Sequence, residues 1–443
     1  MSESARDLLV RGVAAAQANS TEEARFHLEW VLRTDADFAQ QAEAWYWLSR
    51  IAGDPAERRA CLERTLAADP TYPEARRDLA VLDGRLAPDE LRDPRLPDAP
   101  VAPAPEVAPG EIHRYRCPQC GGALTNDPGH TGLFCQFCGY RGAPGGAAPG
   151  VGAPAVAEQD WVAAIYTARG HRWELPAARL FACESCGASH VIPPGVASLA
   201  CPSCGSPYVV QSSASRDLVQ PDGVAPFAFD AATAHGRAHA WLAAQRFRPD
   251  DLDARAAIAA PRPLYLPFWT FDLGGAIRWQ EILPPDERER EPLSGTELVG
   301  RDDLLVAASA TLPADVRGEL RFDTSTLTPY APDLLAGWPA EIYQVSVADA
   351  SLDARARALE ATRTHLRATV DCRGHDLHLD TTGITVESYK LALLPVWLAD
   401  YRYRGERHPL VVNGQSGAVH GHVPRSALQR FLHRLGGSEK SEG

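Results

Sequence analysis

The rhythm of apolar positions changes along the chain. From residue 1 to 87 apolar residues recur every three or four positions, which predicts packed amphipathic helices. Residues 88–110 break that rhythm. Pro97 to Gly110 intersperse proline with alanine and valine, which predicts an extended polyproline-type linker. A second linker, 143–157, is richer in glycine and softer in composition. From 222 to 425 the apolar runs lengthen. Leu264–Leu273 and Leu391–Tyr403 read as strands, while 230–247 and 349–369 carry helical spacing. Trp241 and Leu242 mark the apolar face of the first of these helices; Leu352, Ala356, Leu359, Thr362, Arg363 and Leu366 align along the second. Asn413 to Gly417, between Leu410–Val412 and Ala418–His420, is a hairpin signal. The expected C-terminal unit is an α+β domain with an antiparallel sheet, followed by a polar tail over 426–443.

Within the helical segment Leu28, Glu29, Leu32 and Asp35 recur as Leu62, Glu63, Leu66 and Asp69, and Phe38 as Tyr72, at an offset of 34. That is the tetratricopeptide period, in which stacked helix pairs bury a shared face. The offset falls to 31 where Glu43, Ala44 and Leu48 match Glu74, Ala75 and Leu79. About two irregular units are therefore expected, with Trp30, Trp45 and Trp47 as extra packing. A plain helical bundle is the other reading. The two predicted strands also share a motif, Leu266-Pro-Phe-Trp269 and Leu394-Pro-Val-Trp397, which suggests two similar β-units side by side. Proline in a strand marks an edge, a start or a bulge.

Charge narrows the picture. Only Lys390 and Lys440 are lysines among 44 basic residues, and the net charge is −13. The whole chain is thus a poor polyelectrolyte partner for DNA, because that binding runs on neutralised phosphates. No apolar run is long enough for a membrane span, and the polar stretch Met1–Asp7 lacks the apolar core of a secretory signal, so a cytoplasmic protein is expected.

Eight of the ten cysteines repeat one pattern. Cys117/Cys120 and Cys135/Cys138 have the spacing of Cys183/Cys186 and Cys201/Cys204, each later cysteine 66 positions after its counterpart. A glycine follows every pair: Gly121, Gly139, Gly187 and Gly205. Two Cys-x-x-Cys turns joined by a short hairpin make a closed tetrahedral thiolate site, so two structural zinc ions are expected, in ribbons over 111–142 and 158–216. Disulfides would need an oxidising compartment, and iron–sulfur clusters usually show other spacings. Cys61 and Cys372 lack partners at ligand spacing and read as free thiols.

The ribbons carry a slight basic surplus. Arg114, Arg116, Arg141, Arg169, Arg172, Arg179 and Arg216 stand against Glu111, Asp127, Glu174 and Glu184, and bound zinc–thiolate centres would cancel the difference. Tyr115, Phe134, Phe137, Tyr140, Trp173, Phe181 and Tyr208 read as a mini-core around the metals or as base-stacking platforms.

No phosphate-cradling loop, nucleophile elbow or His-Glu-x-x-His helix is present, so no catalysis is expected. His375/His378 and His420/His422 read as exposed strand histidines, and His235/His239 lacks an adjacent carboxylate to complete a metal set. Asp272 and Asp400 each follow the repeated tryptophan by three residues, either as a carboxylate pair or as two polar strand ends.

With those residues in place, the stretch from 111 to 425 resembles a bacterial family of uncharacterised proteins, described as transcription factor IIB-type or primosomal-helicase-like zinc ribbon proteins. The likeness rests on the paired ribbons, on Gly223–Phe229 leading into a helix and then Tyr265–Asp272, and on Leu393–Gly405 running to Val412–Gly417. Tyr330–Trp338 and Ala340–Tyr343 add to it, and it spans roughly 70% of the chain. It implies zinc at the eight cysteines and supplies no activity. Many relatives carry a membrane segment after this hairpin; here Pro424 to Leu432 leads into a polar tail, so no span is expected. The N-terminal repeats are similar to tetratricopeptide-like segments beside other bacterial regulatory domains. The expected protein is a non-catalytic, zinc-binding interaction scaffold or regulatory protein that meets a protein partner through its N-terminal helices. The alternative is a nucleic-acid-binding, transcription-linked factor using the ribbons.

Overall fold

A computed structural model describes residues 4–34, 36–69, 72–84, 86, 117–122, 124–126, 133–135, 137–142, 156–162, 173, 180–192, 200–207, 209–211, 218–245, 249, 251–252, 256–284, 290–335, 337–371, 375–380 and 383–424. The first linker, most of the second, the tail and Cys372 lie outside the described residues. So do Glu111, Arg114, Tyr115, Arg116, Asp127, Arg169, Arg172, Glu174, Arg179, Tyr208 and Arg216.

The N-terminal segment folds as helices α1 (Ala5–Gln17), α2 (Thr21–Val31), α3 (Phe38–Ile51), α4 (Pro55–Ala68) and α5 (Pro73–Leu82). The starts of α2 and α4 lie 34 residues apart, the sequence offset. Local chemistry sets the starts. Asp37 and Gln40 form a reciprocal capping box on α3, and Asp54 accepts from the Glu57 N–H ahead of Pro55 on α4. Gly12 lets α1 and α2 touch, since a Cβ there would lie 2.7 Å from the Leu28 side chain. Ala24, Leu28, Val31, Leu48 and Cys61 form the core. Asp78 is almost covered and is ringed by Arg50, Arg58 and Arg77, which ties α3, α4 and α5 together.

The short strands come first in the rest of the chain: β1 (Leu124–Asn126), β2 (Leu133–Cys135), β3 (Arg141–Gly142), β4 (Gln159–Asp160), β5 (Leu180–Cys183), β6 (Ser189–Val191), β7 (Val209–Gln211), β8 (Gly223–Val224) and β9 (Ala257–Ile258). Then follow β10 (Arg262–Glu281), β11 (Ser294–Ala307), β12 (Thr328–Pro329), β13 (Ala340–Glu341), β14 (Leu377–Asp380), β15 (Ile384–Tyr403), β16 (Glu406–Asn413) and β17 (Val419–Gly421). Helices α6 (Ala231–Ala244), α7 (Ala314–Glu319) and α8 (Val347–Thr369) lie among them.

The two long strands, β10 and β15, pair antiparallel with Leu266 opposite Leu394. The repeated motifs therefore run past each other about that pair, with Tyr265 facing Pro395 and Pro267 facing Leu393. Each strand then takes its own hairpin partner, β11 on β10 and β16 on β15. Two strand-and-hairpin units thus stand side by side, each long strand carrying its own hairpin partner. The prolines sit at equivalent points. Pairing with the hairpin partner ends at Phe268–Ala307 in one unit and at Val396–Asn413 in the other, one residue beyond each proline. An absent proline N–H costs little where the ladder stops.

Both faces of this pair are covered. Leu264, Leu266, Phe268, Leu394 and Val396 pack with Leu312, Val316 and Leu320 at α7. On the other face Trp269, Phe271 and Leu391 meet Ala350, Ala354 and Leu366 of α8, while Trp397 and Tyr401 join Phe227 and Leu242. Two-sided burial is why these strands read as unbroken apolar runs.

Two expectations need correction. The sheet is mixed, because β8 lies parallel to β15 and β13 parallel to β10; these two-residue strands arrive through long connections rather than hairpins. The buried face of α8 is Ala350, Ser351, Ala354, Ala358, Thr362 and Leu366, and Leu352 is 64% exposed. Small side chains let the helix lie close on the sheet, so an alanine stripe outranks the scattered leucines. The helical segment reaches the sheet where Arg76 donates to the Val386 carbonyl at 2.9 Å and Arg278 covers Phe38.

Trp269 is fully buried and its indole N–H donates to Val345 at 2.9 Å. Trp269→Ala is expected to cost about 3–5 kcal/mol by chemical denaturation. Leu298→Ala, at a side chain 82% exposed, is expected to move stability by less than about 0.5 kcal/mol.

Candidate metal centres

Each cysteine pair sits on the same backbone turn. The first cysteine's N–H donates to the carbonyl five positions on, and its own carbonyl accepts from the trailing glycine. At Cys117 these bonds are 2.7 Å to Gly122 and 2.8 Å from Gly121; Cys135, Cys183 and Cys201 repeat them at 2.7–2.9 Å. The four trailing glycines have φ between 71° and 76°, a region costly for any residue with a Cβ. The turn aims N–H groups at the first sulfur: Phe137 and Cys138 at Cys135, Ser185 and Cys186 at Cys183, Ser203 and Cys204 at Cys201. Burial works against charge at Cys135 and Cys183, but those N–H groups and the neighbouring sulfurs outweigh it and lower both thiols to about 7.

Strands β1–β3 form a separate small sheet that brings Cys117, Cys120, Cys135 and Cys138 together. Strands β5–β7 do the same for Cys183, Cys186, Cys201 and Cys204. In each cluster the four sulfurs lie within 4.8 Å of one another. Sulfur–sulfur contacts of 3.4 Å (Cys117–Cys138) and 3.5 Å (Cys120–Cys135) occur in the first cluster, and of 3.6 Å (Cys183–Cys204) and 3.7 Å (Cys186–Cys201) in the second. An ion bonded to four thiolates at about 2.3 Å holds its sulfurs about 3.8 Å apart. Both clusters fit a tetrahedral metal ion, and four protein ligands leave no position for a reacting water.

The surroundings of the two clusters differ. In the first, Cys120 and Cys138 are exposed, and the mini-core is Leu124 and Leu133 with Tyr140. The second is joined to the large sheet through β6–β13, with the Ile342 N–H donating to Ser189 at 2.8 Å. Ser203, inside the second turn, bonds Glu341 at 3.2 Å and His190 Nε2 at 2.8 Å. Glu341 is buried, which raises its pKa despite hydrogen bonds from Ser309 and Thr311. Arg262 donates to the Pro202 carbonyl at 3.3 Å and Arg407 to that of Cys204 at 2.8 Å.

Asp400 anchors those two arginines, at 3.4 Å from Arg262 and 2.9 Å from Arg407. Asp272 instead accepts from the Asp303 N–H at 2.8 Å and from Ser388. Ser388 faces Asp272 and lies twelve residues before Asp400 on β15, roughly 40 Å at the strand rise. Asp272 and Asp400 therefore do not pair; Asp272 sits instead among Glu158, Asp302 and Asp303, with Lys390 beside them. The histidines do find carboxylates that local spacing could not reveal. His420 meets Glu319 at 3.1 Å and His422 meets Asp315 at 2.9 Å, both partners on α7. His375 is not exposed. Its Nδ1 lies 2.7 Å from Glu281, a covered carboxylate that Arg290 chiefly holds down to about 2. His235 bonds the Ile258 carbonyl, with His239 edge-on to it. Among the described residues, the two cysteine clusters are the groups that could hold a metal ion. Trp173 belongs to the main core, its indole N–H 2.9 Å from the Tyr330 hydroxyl, and Phe137 is 74% exposed.

A fifth turn of the same kind carries no cysteine. Asn413 N–H donates to Ala418 and its carbonyl accepts from Gly417, both at 2.8 Å, with Gly417 at φ 79°. Its Oδ1 accepts from Gln415 and Ser416 at 2.9 Å, where the other turns place a sulfur.

No family model matches the chain, and no solved structure matches it. A protein of Bacillus subtilis strain 168, named uncharacterized protein YdjG, is 24% identical over 222 residues, 46% of this chain and 64% of that protein. The chain thus spans less than two thirds of the length of that curated relative.

Cys117→Ser and Cys183→Ser are each expected to lower bound metal by about one ion per chain, by atomic absorption on purified protein. Full metal content in either variant would show that the ligand set is wrong. Asn413→Ala removes a fully buried side chain together with its bonds to the Gln415 and Ser416 N–H groups and to the Arg321 carbonyl, and is expected to cost about 1–3 kcal/mol in denaturant melts.

Proposed function

We propose that this protein is a non-catalytic interaction scaffold carrying two structural zinc ions. Closed sites of four thiolates favour zinc over harder ions, and eight reduced thiolates suit the cytoplasm. No described helix is long and apolar enough to cross a membrane, so membrane attachment forms no part of the reading. The resemblance to the transcription factor IIB-type zinc ribbon family agrees with metal at these cysteines.

The observation that carries the scaffold reading is a groove of about 360 Å³ in the helical segment, which we read as tetratricopeptide-like. Leu32, Trp45 and Leu48 line it together with charged side chains of both signs: Glu57 pairs with Arg25 at 2.6 Å, and the Arg64 guanidinium lies 4.5 Å over the Trp45 ring. An apolar floor with a stacked arginine beside it suits an apolar side chain of a partner protein, with Arg64 left to meet a neighbouring carboxylate. The closed metal sites, whose four protein ligands leave no position for a reacting water, support a structural rather than a catalytic role for the metal.

The nucleic-acid reading keeps one favourable observation: Phe137 is exposed on the first cluster, near Arg141, which covers Phe134 at 5.5 Å. Fluorescence anisotropy of the intact, zinc-loaded protein with labelled single- and double-stranded DNA at two salt concentrations separates the readings. The scaffold predicts no salt-sensitive binding at micromolar protein. Tight binding that weakens with salt, and is lost in Arg114→Ala with Arg116→Ala and Arg141→Ala, would replace it with the nucleic-acid factor. In parallel, Trp45→Ala with Arg64→Glu is expected to abolish cross-linking of protein partners to the full chain; capture that survives both changes sinks the groove.

A further inference from the structure

The two clusters share a ligand set, a spacing and a turn, yet their settings are unlike. We infer that they have different tasks: the metal held by Cys183, Cys186, Cys201 and Cys204 is a permanent fastener, and the site of Cys117, Cys120, Cys135 and Cys138 exchanges zinc with thiol or imidazole ligands from outside. This rests on zinc as the metal of both sites.

Zinc leaves a tetrathiolate site when an incoming ligand reaches the metal and displaces a sulfur, so access and the stability of the thiolate charge set the rate. Access differs first. Cys120 and Cys138 are exposed, whereas Cys186 and Cys204 are only partly so. The first cluster stands on a sheet of three short strands and meets the larger domain where Thr125 abuts Gly337. The second is stitched into the large sheet by β6–β13 and by the Ser203 bonds to His190 and Glu341.

Charge differs next. A zinc–tetrathiolate centre carries two net negative charges. At the second cluster, the guanidiniums of Arg262 and Arg407 both lie 3.9 Å from where a Cβ on Gly205 would sit, and both donate to carbonyls of the ligand turn. Asp400 holds them there and offsets one of the two charges, so these three side chains together bring one positive charge to the ligand turn, with the buried Glu341 on Ser203 at 3.2 Å. Cations close to thiolates stabilise the metal-binding form. At the first cluster Arg141 lies 5.5 Å over the Phe134 ring. Arg262 and Arg407 are thus positioning residues for the second site, and Asp400 is the post that aims them.

The test uses the full chain loaded to two zinc ions per molecule, challenged with the chelating dye 4-(2-pyridylazo)resorcinol. Release is expected in two phases of equal amplitude, separated by at least about tenfold in rate. N-ethylmaleimide added after the first phase, with mass-spectrometric mapping, is expected to label Cys117, Cys120, Cys135 and Cys138 and to spare the other four. Arg262→Met with Arg407→Met is expected to speed the slow phase by about 10–100-fold and leave the fast one unchanged. The lysine versions, which keep the charge, are expected to restore much of the slow rate. Release in one phase, or labelling of the second cluster first, overturns the inference and leaves the zinc reading standing. Loading that never reaches two ions overturns the zinc reading itself. Wild-type rates and labelling decide the matter even if the double arginine variant does not fold.

Discussion

The fold hangs on one register: Leu266 against Leu394 between two twenty-residue strands. A slip of one residue would turn every side chain of a strand to the opposite face. Because both faces are packed, such a slip would move Trp269 and Trp397 out of the two cores on one face and Leu264, Leu266 and Leu394 out of the core on the other. The helices and the second cysteine cluster take their places from this pair. Helices α7 and α8 cover its two faces, and Arg262 and Asp400 reach the cluster from its strands.

The second cluster is therefore as much a part of the sheet as a metal site. Its ligand turn makes hydrogen bonds to β10, β13 and β16 through Arg262, Glu341 and Arg407. The first cluster, on its own three strands, has no such network among its described residues. Identical ligand spacing thus hides a difference that arises only in tertiary structure.

How far the chain could be read follows from the range of each signal. The eight cysteines, the Asp54–Pro55 helix start and the Asn413–Gly417 turn are local features, and all three appear where the residues place them. The motif repeat suggested two units side by side, and the structure adds that the two long strands pair directly with each other. Signals that depend on distant partners were hidden. Nothing near Asp400 announces Arg262, and nothing near His420 announces Glu319. The face of α8 misled because leucines stand out in a periodic pattern while alanines do not, although close packing on a sheet favours the smaller side chain. The parallel strands β8 and β13 are two residues long, too short to leave a periodicity.

The turn at Asn413 bears on the speed of assembly. An amide oxygen there does the work of a sulfur, so the backbone closes around a side chain that offers no thiolate to a metal. The same chain path at the cysteine pairs is then a resting shape rather than something an ion must impose. Each four-cysteine site consists of two preset jaws joined by fourteen residues. Closing a loop of that size takes on the order of 0.1 μs. A ribbon stripped of its ion would refill at a rate set by encounter with the metal, without waiting for the domain to fold again.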